Sequence, residues 1–291
     1  MEPSNRTSDP AVRRGLSAAF PSLIDLLVLL GIYVVVQAAV YLILMLALLV
    51  SGQGLGDLEP HVRARVLALT SLVSMSVLAA LYYGYRRWRG FPAVKVGYSL
   101  RRVNLPLTGW GLLLMLAMTV LIGPLIDLLP APQQDVGRGW WAVLALAVVA
   151  PLFEEWICRG YLFGSLRERF GLWSSCLLSS LFFAVMHLQP AAVINAFFMG
   201  MVLSYLYART GSLWSSMLVH AVYNLCAYLL LVSGHGDESL YALLGGRGWL
   251  YGLCYAAAAA AALAAVIGFR RTGRAPAAEP SGEEDNTPAD C

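Results

Sequence analysis

The sequence predicts an all-α polytopic membrane protein with about eight transmembrane helices and both termini in the cytoplasm. Three observations predict it. Of 291 residues, 59% are hydrophobic and 13% charged, with a mean hydropathy of +0.67; a soluble domain is about 45–50% apolar and about 25% charged. Apolar runs at 22–50, 65–85, 107–129, 140–163, 172–188, 190–208, 212–232 and 248–269 reach or approach the roughly 20 residues a spanning helix needs. Basic residues segregate as well. With the N-terminus inside, 16 of the 20 Lys and Arg fall in inner segments and 4 in outer loops, the bias that sets membrane orientation.

Taken in order, residues 1–21 are polar, carry Arg6, Arg13 and Arg14, and form a cytoplasmic N-terminal segment. The transmembrane domain covers 22–269. Its first run is too long for the apolar region of a cleaved signal peptide and is read as a span. The outer loop after it contains GLGD at 54–57, a superficial match to the motif of aspartyl intramembrane proteases; no second Asp lies mid-span, since Asp25 and Asp127 are near span ends. The inner loop 86–106, RRWRGFPAVKVGYSLRRVNLP, is a solvated linker or an amphipathic segment on the membrane face. Short loops between later spans make consecutive helices antiparallel neighbours. The alanine run 256–262 suits close packing of the last helix. Residues 270–291, rich in Gly, Pro, Ala and acids, read as a disordered cytoplasmic tail.

The cysteines do not point to a metal or a disulfide framework. Cys158, Cys176, Cys226 and Cys254 fall in apolar runs without metal-type spacing. Cys291 is followed by no residues, so it is not the cysteine of a prenylation box.

Chemistry concentrates in the fourth span. In WWAVLALAVVAPLFEEWICR, from Trp140 to Arg159, the charged side chains are Glu154, Glu155 and Arg159. An acidic side chain at the centre of a membrane helix costs on the order of 3 kcal/mol by insertion scales, so two in a row call for a reason. Glu155 and Arg159 are four apart and share a helix face, with the acid first, the better order for an ion pair. Glu154 is rotated from Glu155 by roughly 100°. One carboxylate can therefore pair with the arginine while the other faces a cavity, where a desolvated carboxyl serves as general acid or base. The fifth span ends LFFAVMHLQP, placing Phe183 four residues before His187. The seventh contains HAVYN, placing His220 and Asn224 on one face.

EEWICR, FAVMH and HAVYN resemble, in order, the EExxxR, FxxxH and HxxxN/D motifs of the CAAX-protease and bacteriocin-processing (Abi, CPBP) family of intramembrane endopeptidases. The set runs from Glu154 to Asn224. The resemblance implies peptide-bond hydrolysis in a cavity between spans four, five and seven. It implies catalytic roles for Glu154, Glu155, His187, His220 and Asn224. Glu154 activates water with His187 beside it; Glu155 and Arg159 form the supporting structural ion pair; His220 and Asn224 stabilise the oxyanion, which takes fixed donors in a dry site. A zinc-dependent form of the same protease would use Glu154, His187 and His220 as metal ligands and lower the pKa of a bound water to about 7. The sequence leaves both mechanisms open and makes no cofactor certain.

Non-enzymatic readings exist for the same residues. A transporter or a membrane scaffold would use the Glu, Arg and His side chains as a polar network. Asn195, Ser179 and Ser180 are read as interhelical hydrogen-bonding groups, and His61 and His235 as loop residues without a role. One tension runs through the catalytic reading. Counted from the inner ends of their spans at 1.5 Å per residue, His187 and His220 differ in depth by roughly 10 Å. The expected partners are the lipid bilayer and a membrane-associated or lipidated peptide or protein, not nucleic acid. The expected location is a bacterial inner membrane, with the site opening toward the cytoplasm.

Overall fold

The structure, a computed structural model, describes residues 21–91, 96–130, 136–236 and 238–272. The predicted segment 1–20, part of the inner loop (92–95) and the tail from 273 onward lie outside the described residues. Within them the chain is helical and contains no strand. The long helices are α1 (Leu23–Val50), α2 (Pro60–Trp88), α3 (Leu105–Ile126), α4 (140–163), α5 (Gly164–Val185), α6 (Pro190–Thr210) and α7 (Leu213–Val232). A short α8 (Leu240–Leu243) and a long α9 (Gly248–Arg271) complete the set.

Local signals set the boundaries. Ser22 caps α1 in a reciprocal box: its hydroxyl accepts from the Asp25 amide at 3.1 Å, and Asp25 accepts from the Ser22 amide at 2.8 Å. Asn104 caps α3 by accepting from Leu107 N–H. Pro60 and Pro190 open α2 and α6, where a missing N–H costs nothing. The GLGD motif is a single 3-10 turn at Leu55–Asp57, in which Asp57 accepts the Gly54 amide at 2.7 Å. Its aspartate caps a turn.

Among the described residues, seven stretches are long and apolar enough to cross a membrane, where the sequence predicts about eight spans. The difference lies in Trp140–Val185, a single helical stretch of 46 residues. Gly171 interrupts it with φ 74° and ψ −174°, a conformation that disfavours any side chain. Beyond Gly171 the chain doubles back. Ser179 Oγ donates to the Cys158 carbonyl at 2.8 Å across 21 residues, a separation that would span about 31 Å on one straight helix. The predicted fourth and fifth spans are thus the two arms of a hairpin. Elsewhere the bounds move by a few residues, most in α2, which extends past 65–85 at both ends.

The hairpin packs against α6, and here small residues decide the distance. A Cβ on Gly200 would sit 2.9 Å from Ser180 Cβ, so the α5 and α6 backbones touch. Trp173 stacks on Tyr205 with centroids 5.6 Å apart. Gly211 in the left-handed region (φ 63°) ends α6 and lets α7 begin two residues later. Helix α9 lies along α3, with Gly268 against the Trp110 ring. At the other side of the bundle, Asp25 of α1 accepts from Arg89 Nε at 2.8 Å and from Tyr85 Oη at 2.6 Å, clasping the start of α1 to the end of α2. The principal core runs through α4, α5 and α6, with inward faces of α1 and α2 closing on it. The outward faces carry the large apolar side chains expected where lipid is the solvent.

Candidate active site

Helix α4 is not a regular α-helix, and its irregularity has a cause. It runs α (Trp140–Leu144), π (Ala145–Val149), α (Ala150–Glu155) and π again (Trp156–Phe163). Pro151 follows the first π stretch. It has no N–H to give to the preceding turn, and its ring crowds the carbonyl four residues back. The backbone widens, which is where π turns form. Asn224 of α7 enters at that point: its amide donates to the Leu146 carbonyl at 2.9 Å. Glu154 and Glu155 sit in the one short α segment between the two π stretches.

Glu155 is wholly buried. Its Oε1 accepts from Arg159 Nη1 at 2.9 Å and meets His220 Nδ1 at 2.9 Å. Arg159, also wholly buried, spends its Nη2 on the Gly200 carbonyl at 2.9 Å. Its guanidinium lies 4.8 Å from the centroid of the Phe183 ring, within cation–π range. The i,i+4 ion pair expected from the sequence is present. It extends across α6 through Gly200 and across α7 through His220.

Glu154 points elsewhere, as the rotation between adjacent residues requires. Its side chain is 14% exposed, against 0% for Glu155, and its Oε2 lies 3.6 Å from His220 Nε2. His220 therefore stands between the two glutamates. Its Nδ1 is committed to Glu155, and a ring nitrogen facing a carboxylate at hydrogen-bonding distance carries the proton. Its Nε2 is then left to face Glu154. The 3.6 Å gap is longer than a hydrogen bond.

His187 lies just past the end of α5, where Met186 is the cap. Its Nδ1 meets the Phe183 carbonyl at 2.9 Å, so its Nε2 is the outward-facing nitrogen. The Phe183 ring packs edge-on to both histidines, 4.8 Å from His187 and 5.8 Å from His220 by centroids. One buried phenylalanine thus touches His187, His220 and Arg159, which joins the two histidines in one cluster despite the depth difference expected from the sequence. Two features favour this. Glu154 and His187 stand almost equally far along the chain from Gly171, on opposite sides of it, so the hairpin brings them to one level. The His187 ring also folds back a turn onto Phe183.

The remaining expected residues fall as interhelical contacts. Asn195 accepts from Tyr223 Oη at 2.9 Å, Ser179 bonds Cys158, and Ser180 abuts Gly200. His235 pairs with Glu238 at 3.3 Å in an exposed loop. Phe183 is named by its motif spacing, but nothing in the sequence reveals it as the hub. Tyr33, whose hydroxyl donates to the Met186 carbonyl at 2.6 Å, gives no sequence signal: it is one aromatic among the apolar residues of α1.

A zinc ion would need Glu154, His187 and His220 to converge. The donor chemistry suits it, because each histidine holds Nδ1 on a protein acceptor and turns Nε2 outward, the usual outer-shell arrangement of a metal-bound imidazole. The geometry does not: among the described residues no three His, Cys, Asp or Glu side chains are grouped closely enough to hold a metal ion. The cavity lined by Leu152, Phe153, Trp156, Met217 and Trp214 takes in the α4 positions on either side of the glutamates rather than the glutamates themselves.

Residues 136–226 match the family model described as type II CAAX prenyl endopeptidase Rce1-like; all three motifs fall within this stretch. The chain is similar to the protein named "Putative membrane peptidase YdiL" of Bacillus subtilis (strain 168), 30% identical over 82 residues, which is 28% of this chain and 34% of that relative. It is also similar to an uncharacterized 24.3 kDa protein of Escherichia coli, 26% identical over 155 residues, 49% of this chain and 70% of that relative. The match to the first of these spans about a third of its length. No solved structure matches.

Proposed function

We propose, with the Rce1-like match of residues 136–226 as premise, that this chain is an intramembrane endopeptidase that hydrolyses a peptide bond of a membrane-associated or lipid-modified protein or peptide. The observation that carries the reading is the continuous chain Glu154–His220–Glu155–Arg159, with contacts of 3.6, 2.9 and 2.9 Å. The two glutamates face one arginine and one histidine, so each acidic side chain has a basic partner in this cluster.

In this reading Glu154 is the general base. It takes a proton from water as the oxygen attacks the scissile carbonyl, and it later delivers that proton to the leaving amine. His187, oriented by the Phe183 carbonyl, presents Nε2 to the same water. His220, clamped by Glu155, offers Nε2–H to the developing oxyanion, and the second N–H of Asn224 is the other donor. Glu155 and Arg159 hold the imidazole in place without touching substrate.

The test is comparative peptidomics of a deletion strain complemented with wild type or Glu154→Ala. Products should appear with wild type and vanish with the variant while protein levels match. Products that persist with Glu154→Ala would sink the assignment. Loss of activity in wild-type protein stripped by a chelator, restored by added zinc, would replace the glutamate mechanism with the metal one.

A further inference from the structure

We propose that Tyr33, on the first helix and outside the three motifs, is a positioning residue for His187. The proposal rests on the protease reading for its consequence but not for its geometry. Tyr33 is buried, and its hydroxyl donates to the Met186 carbonyl at 2.6 Å across 153 residues. That carbonyl belongs to the peptide plane whose N–H is that of His187. Because the peptide unit is planar, fixing the carbonyl fixes the plane from which the His187 side chain departs. The same N–H bonds the Ala184 carbonyl at 3.0 Å, so the plane is pinned at both ends.

This plane needs an external hold. It lies at the end of α5, where helix carbonyls run out of intrahelical donors. The next residue, Leu188, has φ 60° and is the non-glycine residue with positive φ among the described residues. A bulky side chain in that region persists where its surroundings enforce it, and such strain clusters at functional sites. Leu188 N–H reaches the Val185 carbonyl only at 3.4 Å, whereas Gln189 N–H closes on the His187 carbonyl at 2.6 Å. The turn is tight on one side and loose on the other, and the Tyr33 hydroxyl is the tie that comes from a different helix. Gln37, a turn further along α1, lies beside the same phenol. It is a polar residue in the middle of a 28-residue helix whose charged residue, Asp25, lies in the first turn.

A simpler role is open to Tyr33: satisfying a buried carbonyl and nothing more. The two are separable because the chain has four histidines, so the imidazole resonances of 15N-histidine-labelled protein in detergent micelles can be assigned by substitution. Tyr33→Phe should shift or broaden the His187 resonances and leave those of His220 in place. Tyr82→Phe deletes a comparable buried hydroxyl, bonded to the Leu29 carbonyl at 2.6 Å, and should move neither. With an internally quenched peptide that wild type cleaves and Glu154→Ala does not, Tyr33→Phe should lower kcat at least about tenfold with KM unchanged, the mark of a group misplaced in the transition state. Unchanged His187 resonances in folded Tyr33→Phe overturn the proposal, as does a normal kcat. If that variant does not fold, 3-fluorotyrosine at position 33 keeps the ring and sharpens the donor, and unmoved His187 resonances again overturn it. Should wild type cleave nothing, the protease reading fails while the resonances still decide the tether.

Discussion

Removing the Arg159 guanidinium would leave the wholly buried Glu155 carboxylate with His220 alone and the Gly200 carbonyl without its side-chain donor. Breaking one side of a buried pair costs about 3–5 kcal/mol, whereas replacing both sides with apolar groups costs far less. Arg159→Ala should therefore lower the thermal midpoint in detergent steeply, and Glu155→Leu/Arg159→Met should recover most of it. Arg159→Lys should fall between, since a lysine cannot serve Glu155 and Gly200 with a planar fork. Equal midpoints for the single and double variants would contradict this account. At this scale the sequence is most informative where partners are local. Glu155 and Arg159 are four apart, and their pairing follows from helix geometry alone. His220 is 65 residues from Glu155, and its place between the two glutamates comes from tertiary packing that no spacing encodes. The same holds for Tyr33, whose partner is 153 residues away.

Among the elements, α4 shows how one proline shapes a site. Pro151 forces the π turn whose Leu146 carbonyl takes the Asn224 amide. Pro151→Ala would let the helix close to regular α geometry, rotating the glutamate pair relative to α7. The expected result is a fall in cleavage on the order of 100-fold, the effect of displacing a reacting group by about 1 Å, with stability unchanged or raised. A fully active Pro151→Ala would remove the π turn from the mechanism. The α5–α6 contact makes a second prediction. Gly200→Ala places a methyl 2.9 Å from Ser180 Cβ, so the helices must part, at a cost of about 1–3 kcal/mol. Adding Ser180→Gly should restore only part of the midpoint, because the Ser180 Cα would still lie 3.1 Å from the new methyl and a helical glycine costs about 1 kcal/mol. The sequence marks EExxxR as helical but not the π turns, because a fixed rise per residue assumes a regular helix throughout. That assumption also produces the apparent depth mismatch of the two histidines.

For the molecule as a whole, the apolar runs made the membrane fold readable and the arginine bias made an orientation predictable. The Gly171 reversal was readable too, as the gap between the fourth and fifth runs. If the predicted orientation holds, single cysteines at the exposed positions 168 and 271, in a background without the native ones, should label with an impermeant maleimide only after the cells are opened. Cysteines at the exposed positions 138 and 238 should label in intact cells. The reverse pattern would invert the site relative to the cytoplasm.

The Glu155–Arg159 spacing has a consequence for how the protein is made. A segment that enters the bilayer before its neighbours must carry its charges through hydrocarbon unaided, and an unpartnered acid there is expensive. With acid and base one turn apart on the same helix, this segment brings its own counter-ion and need not wait for α6 or α7. His220, which comes on a later helix, completes a cluster already neutral over that pair. Biogenesis can thus precede assembly for that pair: the hairpin inserts with the Glu155 charge already compensated, and Glu154 meets its partner last, when α7 seats its histidine between the glutamates.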